Sequence, residues 1–497
     1  MKKFKAYFAI LMVVSLLCMS TPFCALAAEP DFTLNGAGGS WTSIGGTMTL
    51  SGNDTLEILK APTSGLKINV TSPDNSIVTI KGIADNCLDT YVSVDNDITL
   101  NIENLNITAP IDCSGIKLNK TDTDADKMTI NVSGNCDIIG TGLGSGISSV
   151  HNQNLTIAGN GTLNVTGGSS DIGSLNGNGN GVNMEAYDTT TPAELTIEGD
   201  ITIDATGGDA HTNSPGAGIL VAWGNILVKS GTVVAKSGIN YTTNPSSTAG
   251  IKTAFPSTDP SMGGNITIEG GAVTGIGGKS TQENVPGAYG IYASNTLKIS
   301  GGTVAAFGGN SDKNNGGIAI TNDAQNIEIS GGNVTATGGN GNTNGAHAIY
   351  AYTGEIGITN GAVVSAVGGN GTTGIGGVGL RALGYDTGTN TYLGNTVTVA
   401  PNAGTVYVRG GQGATVQRAS VMGKDVYIAT GNIGAVVMQG SNPRSIKNVM
   451  GGDDVYMLSA STDPAAAAVV VQSNVNGTLG GNYTYQAATK ADGIACM

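Results

Sequence analysis

Residues 297–309 read L-K-I-S-G-G-T-V-A-A-F-G-G, and residues 327–339 repeat the pattern as I-E-I-S-G-G-N-V-T-A-T-G-G. Further copies, some of them weaker, start at Leu155, Leu195, Ile226, Ile266 and Ile356. Self-similarity at a period of about 20 to 50 residues is the sequence mark of a stacked repeat architecture. This repeat therefore decides the fold class.

Each copy contains two short segments of alternating apolar and polar residues, separated by a glycine turn, and a third segment that begins Gly-Ile or similar. Alternation with period two places successive side chains on opposite faces of a strand. In the copy at 297 the inward residues are Leu297, Ile299, Val304 and Ala306. The outward residues are Lys298, Ala305 and Phe307.

One repeat cannot bury its own apolar face, but stacked repeats bury a continuous core. We therefore expect an all-β fold, a parallel β-helix solenoid with three short strands per rung. The usual handedness of parallel crossovers makes it right-handed. Tracts of variable length, such as 310–316 and 340–345, become side loops.

The predicted boundaries follow from where the repeat pattern begins and fades. Residues 28–50, with Trp41, form an N-terminal cap, residues 51–460 the parallel β-helix, and residues 461–497 a C-terminal cap. The segments 66–70, 77–80, 91–94 and 98–102 are read as early, short rungs. Later strands begin at Val397, Val426 and Val455.

The first residues have the pattern of an export signal. Lys2, Lys3 and Lys5 precede an apolar run that ends at Cys18, and Ala25-Leu26-Ala27 fits a cleavage site. We expect residues 1–27 to be a signal peptide, which predicts an extracellular, secreted protein, either released or held noncovalently at the cell surface. The apolar run at 465–471 is too short to cross a bilayer, so no membrane span is expected.

The net charge of the chain limits the classes of partner that it is expected to bind. The formal net charge is −14, and the four arginines lie at Arg381, Arg409, Arg418 and Arg444. Such a charge repels phosphate backbones, so nucleic acid is not an expected partner. The chain is expected to be a monomer.

Four cysteines lie outside the predicted signal: Cys87, Cys113, Cys136 and Cys496. They allow three pairings, among which sequence does not choose. Cys136 stands where neighbouring repeats carry a core leucine, which favours a buried thiol at that position.

The repeats resemble the Gly-rich right-handed β-helix proteins that Gram-positive bacteria secrete, in particular the clostridial-type β-helical carbohydrate-binding domain family. The resemblance covers roughly residues 45–460 and rests on the S-G-G-x-V-x-A-x-G-G repeat and the acidic N-terminal rungs. It implies an extracellular location, polysaccharide binding and bound calcium. These motifs specify architecture more than function.

Parallel β-helices also carry polysaccharide lyases and hydrolases of the pectin-degrading type, so an enzyme is a rival reading. A lyase needs a positioned base, and a hydrolase needs paired carboxylates across the scissile bond. Residues 1–380 contain no arginine, and the adjacent acids Asp453 and Asp454 lack the basic and histidine motifs of polygalacturonases. The three histidines, His151, His211 and His347, are scattered. The sequence therefore predicts a non-catalytic protein.

Acidic residues suggest calcium. Asp122, Asp124 and Asp126 alternate as at the start of an EF-hand loop, but Lys127 replaces the glycine and Ser133 the final glutamate. Three carboxylates in one short loop still favour a hard cation, while a solvated acidic turn is the alternative. Asp95 and Asp97 form a second, weaker cluster.

A candidate sugar site follows from the third strands. Their outward column from residue 252 onward is predicted to be Lys252, Tyr292, Ala319, Tyr350 and Arg381. Parallel stacking would set Tyr292 and Tyr350 roughly 10 Å apart, about one disaccharide along an extended chain. Tyr289 and His347 repeat that interval beside them. Aromatic faces can pack on pyranose C–H faces, and the terminal cations can hold carboxylates of an acidic glycan. An ordinary preference of tyrosine for exposed strand positions explains the same residues without a ligand.

The sequence thus predicts an exported, non-catalytic protein that binds a polysaccharide, such as a plant cell-wall or other extracellular glycan. A structural, adhesin-like surface rod without a sugar site is the first alternative, and a polysaccharide lyase or hydrolase is the second.

Overall fold

The computed structural model describes residues 32–36, 40–42, 46–62, 65–119, 127–149, 154–169, 179–185, 192–211, 214–243, 248–254, 264–386, 391–400 and 402–414. Beyond these it describes the backbone of strands between 421 and 495. The described residues form strands, turns and bends, and within them no helix is long and apolar enough to span a membrane.

The strands stack in register into three faces of a right-handed parallel β-helix, which confirms the predicted fold. The first face contains Thr47–Leu50, Lys67–Val70, Tyr91–Val94, Ile116–Leu118, Ile147–Ser149, Val182–Glu185, Ile219–Ala222, Ala249–Ala254, Tyr289–Ala293, Ile320–Asn322, Ile349–Ala351 and Leu380–Asp386.

The second face contains Thr55–Ile58, Ile77–Lys81, Thr99–Glu103, Lys127–Ser133, Asn154–Gly159, Ala193–Ile197, Gly224–Val228, Ile266–Ile268, Leu297–Ile299, Ile327–Ile329, Ile356–Ile358 and Thr396–Val399. The third contains Asn106–Thr108, Asn135–Ile139, Thr162–Thr166, Thr202–Thr206, Thr232–Lys236, Ala272–Ile276, Thr303–Phe307, Asn333–Thr337, Val363–Val367, Val406–Arg409, Val436–Gly440 and Val469–Ser473.

The remaining strands lie towards the two ends. Phe32–Asn35 pairs antiparallel with Thr55–Ile58, and Ser40–Thr42 pairs antiparallel with Thr47–Leu50. Val421–Thr430 and Lys447–Ser459 each extend across the first and second faces and join them into one sheet. The other short strands are Thr391–Gly394, Gly481–Asn482, Thr489–Lys490 and Ile494–Ala495.

The core is a continuous apolar column inside the three faces. The inward residues predicted for the repeat at 297 are all buried. Phe307, predicted outward, is 39% exposed. Cys136 lies opposite the core residue Leu163, and its thiol is buried and free, as expected. Burial raises the pKa of this thiol to about 11. Cys87 and Cys113 are also free thiols.

The side loops between the third and first faces are themselves stacked. A ladder of single parallel bridges runs from Ala210 through Asn240, Ser280, Ser311, Gly341 and Gly371 to Gly413. Asn310 Oδ1 accepts the Asn340 N–H at 2.8 Å, and Asn340 Oδ1 accepts the Asn370 N–H at the same distance. Loops of this kind repeat from rung to rung because each amide satisfies the backbone of the next. They therefore build a wall beside the first face.

Candidate functional site

The register places most of the predicted column together. Lys252 lies opposite Tyr292, and Tyr350 lies opposite Arg381. Thr321 stands between Tyr292 and Tyr350, so the two tyrosines are two rungs, or about 10 Å, apart.

The assignment of Ala319 to this column is wrong. It rested on aligning Gly317-Ile318 with Gly290-Ile291, whereas the strand begins two residues later and Ile320 takes the core position. Ala319 is fully buried, and the outward residue is Thr321. Thr321 Oγ1 donates to the Tyr350 carbonyl at 2.9 Å.

The Tyr292 ring is packed against one residue of its own strand and one of the preceding rung. Tyr289 stacks on Tyr292 with ring centroids 5.5 Å apart and planes 13° from parallel. Lys252 Nζ lies 5.5 Å from the Tyr292 centroid. Much of the surface of the Tyr292 ring is therefore covered by the protein itself.

Tyr350 is packed still more closely. Arg381 Cζ lies 4.9 Å from the Tyr350 centroid, and His347 and Tyr352 approach it edge-on at 5.3 and 5.9 Å. Tyr350 is only 9% exposed, whereas Tyr352 is 41% exposed. The open ring faces expected of Tyr292 and Tyr350 are thus largely used in packing. Tyr289 and Tyr292 are both half-buried, and Tyr352 is the more exposed ring beside Tyr350.

Asp323 is a carboxylate that was not predicted from the sequence, and it interacts with the Lys252–Tyr292 half of the column. The Tyr292 hydroxyl donates to Asp323. Burial raises the pKa of Asp323, although its hydrogen bond with Tyr292 and the charge of Lys252 oppose that shift. Burial lowers the pKa of Lys252, and Asp323 opposes it. Asp323 follows the strand whose register was misaligned. A correct alignment of Ile320 with Ile291 would have placed it on the next rung, two residues beyond Thr321, which lies opposite Tyr292.

A cleft of about 360 Å³ opens between this column and the wall of side loops. It is lined by Tyr289, His347 and Arg381 of the predicted site and by Pro286, Asn315, Gly316, Ile318, Asn344, Gly345, Ala346, Ile375 and Gly376. The other three predicted residues, Lys252, Tyr292 and Tyr350, are not among the lining residues. Three of the six predicted residues therefore share one cleft.

The wall of the cleft is fixed by side-chain amides. Asn344 Nδ2 donates to Asn315 Oδ1 at 2.8 Å, and Asn344 Oδ1 accepts the Ile375 N–H at 3.0 Å. These residues were not predicted as site residues. The Gly-Gly-Asn triplet that recurs at 308, 338 and 368 was the available signal that their loops stack.

His347 and Arg381 meet at one edge of the cleft. The Val378 N–H lies 2.9 Å from His347 Nδ1. Nε2 lies 2.6 Å from Arg381 Nη1. A guanidinium has only donors and a neutral imidazole has one acceptor nitrogen, so the Val378 and Arg381 N–H groups compete for His347, and its tautomer decides which of them it accepts.

The remaining predicted residues lie elsewhere. Asp122, Asp124 and Asp126 fall outside the described residues, as does His151. Asp95 Oδ1 accepts from Asn119 Nδ2 at 3.2 Å, and Asp97 is buried. Among the residues described, no three His, Cys, Asp or Glu side chains group as metal ligands. His211 stacks on Tyr241 at 4.9 Å, away from the cleft.

No family model matches the chain, and neither a curated protein nor a solved structure shows significant similarity to it.

Proposed function

We propose that this protein is an exported, non-catalytic polysaccharide-binding β-helix that acts at or outside the cell surface. The observation that carries the proposal is the cleft where Tyr289, His347 and Arg381 face a wall of loop amides. Aromatic rings and planar hydrogen-bonding groups around an open groove are suited to sugars, which have apolar C–H faces and many hydroxyls. The rung spacing keeps such groups in line along the rod.

One observation favours the alternative hypothesis of a structural rod without a sugar site. The Lys252–Tyr292 and Tyr350–Arg381 contacts use ring faces for packing between rungs, as a purely structural column would. A purely structural rod would not need a cleft, however. These contacts between rungs do not fill the cleft, which stays open beside them.

The hypothesis that the protein is a polysaccharide lyase or hydrolase is less well supported. The lysine with the lowered pKa, Lys252, stands four rungs from Arg381, or about 19 Å along the column. A lyase must bring its base and the group that neutralises the carboxylate to one sugar ring. Incubation with pectate, xylan and cellulose should yield no unsaturated products or new reducing ends, and clear turnover would reverse this part of the proposal.

The test is retention of residues 28–497 on a panel of insoluble and soluble polysaccharides by pull-down and affinity electrophoresis. We expect retention by at least one polymer and its loss in Tyr289→Ala with His347→Ala. The matched control is Tyr241→Ala with His211→Ala, which removes a tyrosine and a histidine that stack on each other and do not line the cleft. Equal retention of the two double variants would show that the cleft is not the binding site. If no polymer retains the unaltered protein, the structural rod is the favoured hypothesis.

A further inference from the structure

The wall of side loops carries a row of asparagine side chains in three consecutive rungs. Asn310, Asn340 and Asn370, here called the amide row, are all exposed. The Oδ1 atom of each accepts, at 2.8 Å, the backbone N–H of the residue that follows it in the row, and Gln412 supplies the last of these N–H groups. Because only the oxygen of an amide can accept from an N–H, these bonds fix the orientation of all three side chains.

The amide nitrogens of the row are not used by the protein. In the described part of the chain, no hydrogen bond involves Nδ2 of Asn310, Asn340 or Asn370. The row therefore presents one oriented donor group per rung, at intervals of about 4.8 Å. It matches a partner that offers oxygen acceptors at a similar interval.

The amide row adjoins the third face. Phe307, Thr337 and Val367 are the last residues of their third-face strands, and each precedes a residue of the row by three positions. Three residues span at most about 10 Å, so the two rows run side by side within that distance. Phe307 is 39% exposed, which places an aromatic ring beside the donors.

The third face beside the row is uncharged. The strands Ala272–Ile276, Thr303–Phe307, Asn333–Thr337 and Val363–Val367 contain no charged residue. In a chain with a formal net charge of −14, such a surface is the part that repels a neutral partner least and attracts a charged one least. The charge pattern therefore favours a neutral ligand.

The size of this surface argues against a second copy of the chain as the partner. The four strands cover roughly 14 Å along the rod and 13 Å across it, or about 200 Å². A stable protein interface buries about 800 Å² on each partner. A single extended polymer chain needs only a narrow strip of this kind.

From the donor row, the uncharged face and its size we infer that this surface binds a neutral, extended polysaccharide chain that lies along the rod. Two rungs correspond to about one disaccharide, so each amide donates to one sugar residue. Phe307 contacts the C–H groups of the sugars. The inference rests on the proposed class of ligand but adds a second surface, because neither the amide row nor Phe307 lines the cleft.

The test removes the donors and keeps the ladder. Asn340→Asp with Asn370→Asp leaves an oxygen for each backbone N–H but replaces both donor groups by acceptors. We expect microcrystalline cellulose, chitin or β-mannan to retain the unaltered protein in a pull-down. Retention of the double variant should be at least tenfold weaker, since two hydrogen bonds to the ligand are lost.

The matched control makes the same change at two asparagines outside the row. Asn104 Oδ1 accepts the Asn135 N–H at 3.1 Å, and Asn326 Oδ1 accepts the Glu355 N–H at 3.0 Å. Asn104→Asp with Asn326→Asp therefore adds the same charge and should leave retention unchanged. Thermal unfolding of both double variants checks that the ladder and the fold are intact.

A second variant leaves the ladder untouched. Phe307→Ala should weaken retention on the same polymer, because it removes the exposed ring beside the donors. Its control is Ile77→Ala, a side chain on the second face that is 54% exposed, which should bind as the unaltered protein does. Unchanged retention of Phe307→Ala would contradict the place of the ring in this surface.

The inference and the proposed cleft site fail in different ways. Equal retention of the amide-row variant and its control would overturn the inference. If Tyr289→Ala with His347→Ala abolishes retention on the neutral polymer and the amide-row variant does not, the inference is wrong and the proposed function stands. If none of the three neutral polymers retains the protein, the inference is wrong even when an acidic polysaccharide is bound.

Discussion

The early rungs at 65–149 and the central rungs at 264–386 share one core but differ in how the third face returns to the first. In the early rungs the return is short, through residues 109–115 and 140–146. In the central rungs it is longer, through residues 308–319 and 338–348, and these loops stack on one another. Of these two regions, the central rungs are the one that places such a wall beside a column of aromatic and cationic residues.

The outward column of the first face shows the same division. In the early rungs it reads Ser93, Lys117 and Ser148, and in the central rungs Tyr292, Thr321, Tyr350 and Arg381. A solenoid can change its loops and outward residues without changing its core, because each rung contacts only its neighbours. The candidate site therefore arises where both changes coincide.

The largest expected effect breaks the wall of the central rungs. A Cβ at Gly308 would overlap the carbonyl oxygen of Gly317, so Gly308→Ala must displace backbone. We expect a loss of about 3 kcal/mol in the free energy of unfolding, as for severe overpacking. Urea denaturation measures it.

The control is Gly357→Ala, because no heavy atom lies within 4 Å of a Cβ there. It should be neutral or stabilising by about 0.5 kcal/mol, since alanine restricts the unfolded chain. Equal stability of the two variants would contradict the stacked loops at Gly308.

The next largest expected effect is on stability, and it is tested by substituting one tyrosine from each region. Tyr350 is 9% exposed and lies under Arg381, whereas Tyr91 of the early rungs is half-buried with Lys67 Nζ 5.7 Å from its ring. We expect Tyr350→Ala to cost about 2–3 kcal/mol, because a large buried ring is removed. Tyr91→Ala should cost less than about 1 kcal/mol, as partly exposed positions do.

Thermal and urea unfolding of the two variants give the comparison. If Tyr350→Ala is as mild as Tyr91→Ala, the ring of Tyr350 is accessible in solution and the column itself becomes a candidate platform for sugar.

The sequence predicted the core of both regions better than it predicted the site. Strict alternation set the inward residues, and the outward column was correct from Lys252 to Arg381 except at Ala319. The error arose where a side loop enters a strand, since Gly-Ile occurs there two residues early. The cleft was not predictable, because it depends on how loops distant in sequence stack, and Asp323 was hidden by the same misalignment.

A smaller effect concerns the early rungs, where calcium is predicted at Asp122, Asp124 and Asp126, outside the described residues. If the ion binds the folded state with millimolar affinity, a tenfold excess stabilises it by about 1.4 kcal/mol. Differential scanning calorimetry should show a higher melting temperature with calcium than with chelator. Asp122→Asn with Asp124→Asn should remove the difference, and an unchanged melting temperature of the unaltered protein would contradict calcium binding.

The smallest expected effect lies within the central column and concerns protonation. Burial lowers the pKa of Lys252 and the charge of Asp323 opposes that shift. A lysine with a lowered folded-state pKa contributes stability above its unfolded pKa, and that contribution is lost as pH falls through the folded value. Competitive acetylation from pH 7 to 10, followed by mass spectrometry, should therefore show Lys252 gaining reactivity at lower pH than exposed lysines of the same chain. Asp323→Asn removes the nearby negative charge and should move the midpoint lower still. If the acetylation midpoint of Lys252 rises or stays fixed in Asp323→Asn, the charges of Lys252 and Asp323 are not coupled across Tyr292. The column of the central rungs would then lack a coupled pair of charges, and it would resemble the column of the early rungs in this respect.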